Sequence, residues 1–316
     1  MPAITMEAPA KLNFHLKVGG RRPDGFHDIE SLFVALAFGD TLYLETTPSE
    51  TATAPEIRMN RPLDGENIIS RAISLFRSRT GFNQGLKVAV EKRIPLGGGL
   101  GGGSSDAAAA LLALNRLAAD GGLLNTAELA EMGAFLGSDV PFFLCGGPAA
   151  WVTGRGEQIQ PLELPESLLN LALVLVNPGF PSDTAEAYRL LDDMRLSQRL
   201  SQNITTEYTE FHGGKTVFVP GTPCTPWLNN YGSFSNDFLP VLSGSDKGAV
   251  YQRIMGELRE LGAEFAGLSG SGSTCFGVFS GHEQAESARN VLLKHWPFVI
   301  ITFLLVRSAI PCYNSK

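Results

Sequence analysis

The strongest constraint in this sequence is a glycine-rich segment, residues 95–106, with the sequence PLGGGLGGGSSD. It follows a stretch that alternates like a strand and precedes an Ala- and Leu-rich stretch typical of a helix. Its six glycines let backbone N–H groups approach an anion without obstruction by Cβ atoms, and the helix N-terminus adds partial positive charge. The segment therefore predicts a phosphate-binding loop. A flexible linker is the alternative, but a linker requires neither flanking element.

We expect the phosphate contacts to come from the loop backbone and from two hydroxyl groups at its end. Ser104 and Ser105 are candidate hydroxyl donors, or ligands to a magnesium ion that arrives with a nucleotide. Asp106 is excluded from the contacts, because its negative charge favours helix capping over phosphate binding. The predicted contact residues are Pro95, Leu96, Gly97, Gly98, Gly99, Leu100, Gly101, Gly102, Gly103, Ser104 and Ser105.

Two common phosphate motifs do not fit this loop. A P-loop ends in Gly-Lys-Ser/Thr, but no lysine lies between Lys92 and Lys215, so a lysine near the phosphates must come from elsewhere. Residues 97–102 satisfy G-x-G-x-x-G, which is a weak signal in so glycine-dense a stretch. Asp120 stands near the acidic position of the dinucleotide fold, but a predicted helix follows where that fold ends its second strand.

The composition indicates an ordinary folded protein that acts on small molecules. With 316 residues, of which 44% are hydrophobic, the chain is long enough for two domains, which we place at residues 1–163 and 164–316. The net charge of -7 argues against nucleic-acid binding, which depends on basic side chains. The cysteines form no C-x-x-C pair and the histidines lack metal-ligand spacing, so no dedicated metal site is predicted.

The sequence also favours a cytoplasmic protein without a membrane segment. Residues 1–7 lack the basic and apolar regions of a secretory signal. The longest apolar runs, residues 171–176 and 298–306, are much shorter than the roughly 20 residues that a spanning helix needs. We interpret both runs as buried strands.

Hydrophobic periodicity predicts a mixed α/β (α+β) fold. Strands are expected at residues 40–46, 86–92, 171–176, 273–279 and from residue 298, and helices at 66–77, 106–119, 250–261 and 283–293. Gly121 and Gly122 would close the second helix, and Thr126 would cap the next one at its N-terminus. Residues 196–235 are polar and aperiodic, which is typical of a long surface excursion.

Several ordered segments resemble the GHMP small-molecule kinases, and in particular the 4-diphosphocytidyl-2-C-methyl-D-erythritol kinases. The glycine-rich loop resembles their phosphate loop. The further matching segments are APAKLNFHL (residues 8–16), RRPDGFHDIESLF (21–33), LGSDVPFF (136–143), TAEAY (184–188), SNDF (235–238) and GLSGSGST (267–274). The resemblance is dense in the N-terminal half and confined to short segments in the C-terminal half.

This resemblance implies a two-domain GHMP kinase fold, with a ribosomal-protein-S5-like N-terminal domain, a ferredoxin-like C-terminal domain and a cleft between them. It implies that ATP, with Mg²⁺, phosphorylates the 2-hydroxyl of the cytidine-diphosphate-linked methylerythritol. The expected partner is this small molecule, and the chain would be a monomer or a weak dimer.

The resemblance also implies the catalytic residues. Asp139 would accept the hydroxyl proton, and Lys11 would supply positive charge where negative charge develops. From the residues alone, Asp139 after Gly137 and Ser138 is equally well explained as a turn or N-cap residue. Lys11 alone would be a solvated surface lysine.

For substrate recognition, the resemblance implies Asn13 beside the phosphoryl acceptor and Phe26, His27 and Tyr188 around the cytosine. Thr184 is a further expected substrate-binding residue. The family commonly has Tyr at the position of Phe26, so ring stacking is kept while a hydroxyl hydrogen bond is lost. Core packing is the alternative for both aromatic residues, and His27 has a purely structural alternative.

Two further positions are assigned by the resemblance. Asn67, at the start of a long helix, is a candidate adenine contact. Residues 267–274 precede a strand, which favours a tight turn, and in the family this run forms a wall of the cleft.

Two other functions stay open. A related GHMP kinase could act on homoserine or a mevalonate derivative, and Phe26, His27 and Tyr188 distinguish the cytidyl-linked kinase from it. A nucleotide sensor without chemistry is the other alternative, and the presence of both Lys11 and Asp139 speaks against it.

Overall fold

The chain folds into a mixture of strands and helices. A computed structural model describes residues 2–48, 55–61, 67–118, 123–145, 147–205 and 234–306. The strands are β1 (Ala3–Arg21), β2 (His27–Thr47), β3 (Glu56–Met59), β4 (Gly85–Glu91), β5 (Ala149–Thr153), β6 (Gln158–Leu162), β7 (Ala172–Asn177), β8 (Phe265–Leu268), β9 (Cys275–Phe279) and β10 (Phe298–Phe303). The helices are α1 (Ile68–Thr80), α2 (Gly102–Ala118), α3 (Thr126–Leu136), α4 (Val140–Leu144), α5 (Glu166–Leu169), α6 (Thr184–Thr205), α7 (Phe238–Leu242), α8 (Asp246–Glu260) and α9 (His282–Leu292). This mixture confirms the predicted fold class.

The strands form two sheets. The first has the order β3-β4-β2-β5-β6, with β1 also paired to β2, and only its β3–β4 pair is parallel. The second is antiparallel, with the order β10-β7-β9-β8. The first sheet is complete at Leu162 and the second begins at Ala172. The predicted domain division at residue 163 falls between these strands and stays a prediction.

Helix α2 fixes the position of the glycine-rich loop. All of its residues from Ser105 to Asn115 are buried, among them the consecutive alanines 107–110. It packs against β1 and β2 on one side and against α1, α3 and α4 on the others. A helix that is apolar all round belongs inside a protein. Because α2 is held on every side, its N-terminus at Gly102 is held as well.

The predicted elements are present, with shifts at their ends. Helix α2 begins at Gly102, four residues before the predicted start, because the last glycines adopt helical conformation. Asn125, not Thr126, caps α3, since its side chain accepts hydrogen bonds from the Ala127 and Glu128 N–H groups. Residues 196–205 of the predicted excursion are helical. Its residues 206–233, Asp120 and the predicted helix stop at 121–122 lie outside the described residues.

The second glycine-rich run packs directly against the first. The Gly98 carbonyl accepts a hydrogen bond from the Thr274 N–H at 3.1 Å, and the Gly99 carbonyl accepts one from Ser269 Oγ at 2.8 Å. A Cβ on Gly99 would lie 2.3 Å from the Ser269 carbonyl oxygen and 2.6 Å from that of Gly272. The two backbones therefore approach more closely than any side chain allows.

A buried charged cluster supports the loop from beneath. Lys92 donates hydrogen bonds to Asp40 and, at 2.6 Å, to Asp106, and all three side chains are at most 3% exposed. Asp40 also accepts the N–H groups of Arg93 and Ile94, which lead into the loop. Asp106 lies in the second turn of α2, so the expectation that it caps this helix is wrong. Its side chain instead accepts a hydrogen bond from the buried lysine.

Gly99→Ala should unfold at a markedly lower temperature than the wild type. The new Cβ would overlap two carbonyl oxygens at a φ of +75°, at a cost of about 3 kcal/mol or more. Gly103→Ala is the matched control, because the nearest atom to its Cβ would be Ile68 Cγ2 at 3.8 Å. Thermal melts of both variants make the comparison. Equal melting temperatures would contradict the close approach of the two loops.

Asp106→Asn should flatten the dependence of stability on pH. Burial raises the pKa of Asp106 to about 7, against the opposing effect of the Lys92 charge. The folded pKa exceeds the unfolded value, so this group stabilises the fold at low pH and its contribution is lost as the pH rises through 7.

Asparagine cannot ionise, so between about pH 5.5 and pH 8 the variant should lose about 2 kcal/mol less unfolding free energy than the wild type. Urea denaturation at both pH values measures the difference. Parallel pH dependences in the two proteins would rule out a titrating Asp106.

Candidate active site

The glycine-rich loop uses its carbonyl groups for packing and leaves its N–H groups available. The carbonyl oxygens of Gly97, Gly98, Gly99 and Leu100 accept hydrogen bonds from Ser182 N, Thr274 N, Ser269 Oγ and Lys11 N, at 2.9, 3.1, 2.8 and 2.9 Å. Within the described residues, no hydrogen bond uses the N–H groups of residues 99–104. Gly97, Gly99 and Gly101 have positive φ and alternate with residues that do not, a pattern typical of anion-binding nests. An anion in this loop would satisfy the N–H groups.

The two predicted hydroxyl groups differ in their surroundings. Ser105 is fully buried, and its Oγ has no hydrogen-bond partner among the described residues. Ser104 is half-buried, and its Oγ lies 3.8 Å from where a Cβ on Gly137 would stand. Ser104 is thus the one adjacent to the turn that precedes Asp139. Pro95 is half-buried and Leu96 exposed, so the loop entrance is open to solvent.

Lys11 joins the loop to the predicted acceptor residues. Its N–H group binds the Leu100 carbonyl, which places its side chain beneath Gly101, where a Cβ would lie 2.9 Å from Lys11 Cγ. The Lys11 Nζ donates to Asn13 Oδ1 at 2.6 Å and lies 3.3 Å from Asp139 Oδ2. It also lies 4.4 Å from the centroid of the Phe33 ring. A lysine that is only 5% exposed, with these contacts, is not a solvated surface residue.

Asp139 does not act as a helix cap. It occupies the N-cap position of α4, but its side chain makes no capping hydrogen bond. The carboxylate instead pairs with Lys11 while staying 30% exposed. Of the two alternatives that the sequence left open, the structure supports a carboxylate that is held by a lysine and accessible from solvent.

Asn13 is anchored by a short polar chain. Its Nδ2 donates to Ser31 Oγ at 2.9 Å, and Ser31 Oγ donates to the His15 carbonyl at 2.5 Å. Asn13 N also approaches Ser269 Oγ at 3.4 Å. These bonds orient the amide so that its carbonyl oxygen faces Lys11. The structure thus brings Lys11, Asn13 and Asp139 together, as the resemblance implied.

His27 and Tyr188 are in direct contact. Their rings stack at 4.9 Å between centroids, and His27 Nε2 lies 2.9 Å from Asp192 Oδ1. Burial, together with the nearby charge of Asp139, raises the pKa of Tyr188 to about 12. His27 is buried and hydrogen-bonded, as its structural alternative predicts, and its contact with a ligand stays a prediction.

Phe26 is a surface residue. It lies in the turn between β1 and β2 and is 53% exposed, so core packing does not explain it. The guanidinium carbon of Arg155 lies 5.1 Å from its ring centroid. One face of Phe26 is therefore covered by a cation.

Thr184 and Asn67 each lie at the start of a helix. Thr184 Oγ1 is 2.9 Å from Ser271 Oγ, which ties the start of α6 to the second glycine-rich run. That this run forms a wall of the cleft, as the resemblance implies, stays a prediction. The Asn67 side chain caps α1 by accepting the Ile69 N–H at 2.9 Å. Its neighbour Ile68 adjoins Gly103, but Asn67 is not brought close to Lys11 or Asp139 by any observed contact.

Sequence inspection missed the residues that hold the predicted ones in place. Ser31, Asp192 and Ser269 lie 18, 165 and 256 positions from their partners, so no local pattern reveals them. For Arg155, the sequence does contain a local signal. Arg155 stands between two glycines, Gly154 and Gly156, which is typical of a tight turn that presents one side chain.

In the described part of the chain, no cluster of three or more His, Cys, Asp or Glu side chains is arranged to hold a metal ion. Across the same residues, no helix has both the length and the apolar character needed to cross a bilayer.

Two family models match the chain. The model of the GHMP kinases N terminal domain matches residues 67–147, and that of the GHMP kinases C terminal domain matches residues 242–297. The first includes the glycine-rich loop and Asp139. The second includes the second glycine-rich run.

Named relatives cover nearly the whole chain. The chloroplastic 4-diphosphocytidyl-2-C-methyl-D-erythritol kinase of Arabidopsis thaliana is 38% identical over 279 residues, which cover 88% of this chain and 68% of the relative. The kinase of the same name from Thermodesulfovibrio yellowstonii is 36% identical over 302 residues, which cover 95% and 98% of the two chains.

Solved structures agree with these sequence relatives. A crystal structure of 4-(cytidine 5'-diphospho)-2C-methyl-D-erythritol kinase superimposes with a TM-score of 0.72 at 30% identity, covering 95% of this chain and 99% of that one. A homoserine kinase from Cytophaga hutchinsonii superimposes with a TM-score of 0.65 at 19% identity, covering 98% and 96%, which shows the fold alone. The chain therefore belongs to the GHMP kinases, and within them to the family of 4-diphosphocytidyl-2-C-methyl-D-erythritol kinases.

Proposed function

We propose that this chain transfers the γ-phosphoryl group of ATP to the 2-hydroxyl of 4-diphosphocytidyl-2-C-methyl-D-erythritol, a step in isoprenoid precursor synthesis. One observation carries the proposal. The loop with free N–H groups is joined through the Leu100 carbonyl to Lys11, whose ammonium group lies 3.3 Å from the accessible carboxylate of Asp139. A phosphate site and a candidate proton acceptor thus meet at one lysine. The names of the relatives supply the acceptor alcohol.

In this proposal the loop holds the nucleotide phosphates through the N–H groups of residues 99–104. The acceptor oxygen attacks the γ-phosphorus, the bond to the bridging oxygen of ADP breaks, and the hydroxyl proton passes to Asp139. A carboxylate is a weak base for an alcohol, but the hydroxyl acidifies as its oxygen bonds to phosphorus, so the proton can leave late. Lys11 stabilises the negative charge that develops on the transferred group.

The residues fit a magnesium ion that arrives with ATP. The Ser104 hydroxyl is half-buried at the start of α2, and it makes no hydrogen bond within the described residues. It is the candidate protein ligand for such an ion. A bound magnesium ion would neutralise charge on the phosphates. Ser105 is less suited, because its hydroxyl is enclosed by protein.

The cytidine end of the substrate is assigned to Phe26, His27 and Tyr188. Phe26 offers an exposed ring for stacking, while His27 and Tyr188 form a stacked, ordered surface next to Asp139. Asn13 is assigned to the methylerythritol end because it binds Lys11 directly. Thr184 would line the cleft and Asn67 would lie near the adenine. Cytoplasmic location and a monomer or weak dimer stay predictions from the sequence.

Asp139→Asn should abolish turnover without loss of ATP binding. The amide cannot accept the proton, so kcat should fall at least about 100-fold. The affinity for ATP, measured by titration calorimetry, should stay within about twofold, because Asp139 acts on the acceptor. Asp246→Asn, at an exposed position in the first turn of α8, is the charge-matched control. Near-normal turnover of Asp139→Asn would remove this carboxylate from the mechanism.

The choice of acceptor distinguishes this function from those of related kinases. Steady-state rates of ADP release with 4-diphosphocytidyl-2-C-methyl-D-erythritol, homoserine and mevalonate make the comparison. We expect kcat/KM to be at least about 100-fold higher for the cytidyl-linked alcohol, because a polar site discriminates strongly against acceptors that leave its groups unpaired. A higher value for homoserine or mevalonate would replace the proposed substrate and keep the kinase class.

A further inference from the structure

Arg155 is held in a defined position beside Phe26. It lies in the turn between β5 and β6, where the Gly154 carbonyl accepts the Ile29 N–H at 2.7 Å. Its own N–H group donates to Glu157 Oε2 at 2.7 Å. Its guanidinium group lies 5.1 Å from the centroid of the exposed Phe26 ring, a distance at which cation–π attraction operates. The backbone and the ring together restrict where this cation can be.

The positive charge of Arg155 is not used by an ion pair among the described residues. Two acids are near Arg155. Glu157 accepts its backbone N–H, and Asp24 is already paired with Arg22 at 3.3 Å. Partial desolvation raises the pKa of Asp24, but the hydrogen bond from the Phe26 N–H and the charges of Arg22 and Arg155 lower it overall. Arg155 is therefore a half-buried residue whose guanidinium group makes no ion pair within the described part of the chain.

The turn that carries Arg155 and Gly156 adjoins residues at both ends of the proposed substrate site. On one side Arg155 covers Phe26, assigned to the cytidine end. On the other, a Cβ on the next residue, Gly156, would lie 3.1 Å from Ser138 Cβ, and Ser138 directly precedes Asp139. In the cytidyl-linked substrate, the diphosphate joins the nucleoside to the alcohol. The part of the substrate that would lie between the two ends of this site is therefore the diphosphate, which is a dianion.

We propose that Arg155 binds the diphosphate of the cytidine-diphosphate-linked substrate, an inference that rests on the function proposed above. The planar guanidinium matches phosphate oxygens with two parallel N–H donors. Stacking on Phe26 would keep the guanidinium ordered before the substrate arrives, which lowers the entropic cost of binding. The residue is a substrate-binding group and takes no part in proton transfer.

The test compares the binding of CDP and cytidine to the wild type and to Arg155→Ala, by NMR titration, which measures weak affinities. Loss of one charge-assisted contact should raise the dissociation constant for CDP about tenfold and leave that for cytidine unchanged. In steady-state assays, KM for the cytidyl-linked alcohol should rise by a similar factor while kcat and KM for ATP stay the same. Arg155→Lys should give an intermediate loss, because a point charge replaces the fork.

Arg253→Ala is the matched control. Its guanidinium lies 5.2 Å from the centroid of the Trp296 ring, so the change removes an equivalent stacked arginine on α8. This variant should bind CDP like the wild type. Equal CDP affinities of Arg155→Ala and the wild type would overturn the inference and leave the proposed function intact.

A parallel loss of CDP and cytidine binding would also overturn the inference, since Arg155 would then only support the Phe26 ring. A wild type that binds neither ligand would overturn the proposed function, and the inference with it. Melting temperatures of all variants show whether the fold is retained.

Discussion

The contact between two glycine-rich backbone segments is the constraint on which the rest of the site depends. Gly98 and Gly99 give their carbonyl groups to Thr274 and Ser269, and no side chain fits between the two segments at Gly99. The N–H groups of residues 99–104 make no hydrogen bond within the described residues, which suits them to an anion. The same loop binds Lys11 through Leu100. Backbone packing therefore sets both the phosphate site and the position of the lysine.

Two buried lysines near the loop have different surroundings. From this difference we assign a structural role to Lys92 and a catalytic role to Lys11. Lys92 is enclosed by Asp40 and Asp106, which are themselves buried, so its charge is neutralised inside the protein. Lys11 contacts a neutral amide, an aromatic ring and the partly exposed Asp139. Because Asp139 is 30% exposed, Lys11 is the lysine that we assign to an incoming phosphoryl group. Lys92 instead connects the end of β4 to helix α2, the two elements that flank the loop.

The sequence predicted the glycine-rich loop, both Lys11 and Asp139, and most elements, because each rests on a local pattern or a continuous motif. It did not predict the role of Asp106, since local charge suggests a cap and only the tertiary fold shows the buried Lys92 beside it. Asp192 and Ser269 could not be found either, because their partners are distant in sequence. The solvent exposure of individual side chains could not be predicted either. Exposure shows that Phe26 is not a core residue, and it distinguishes the half-buried Ser104 from the fully buried Ser105.

Phosphorus NMR of the reaction products tests the central claim, that the cleft between the glycine-rich loop and Asp139 phosphorylates an alcohol. The wild-type protein would be incubated with ATP, magnesium and 4-diphosphocytidyl-2-C-methyl-D-erythritol. The account predicts a new phosphomonoester signal that grows in step with ADP, while the diphosphate signals of the acceptor are retained. ATP consumption that yields only inorganic phosphate, or no new phosphomonoester at all, would contradict it.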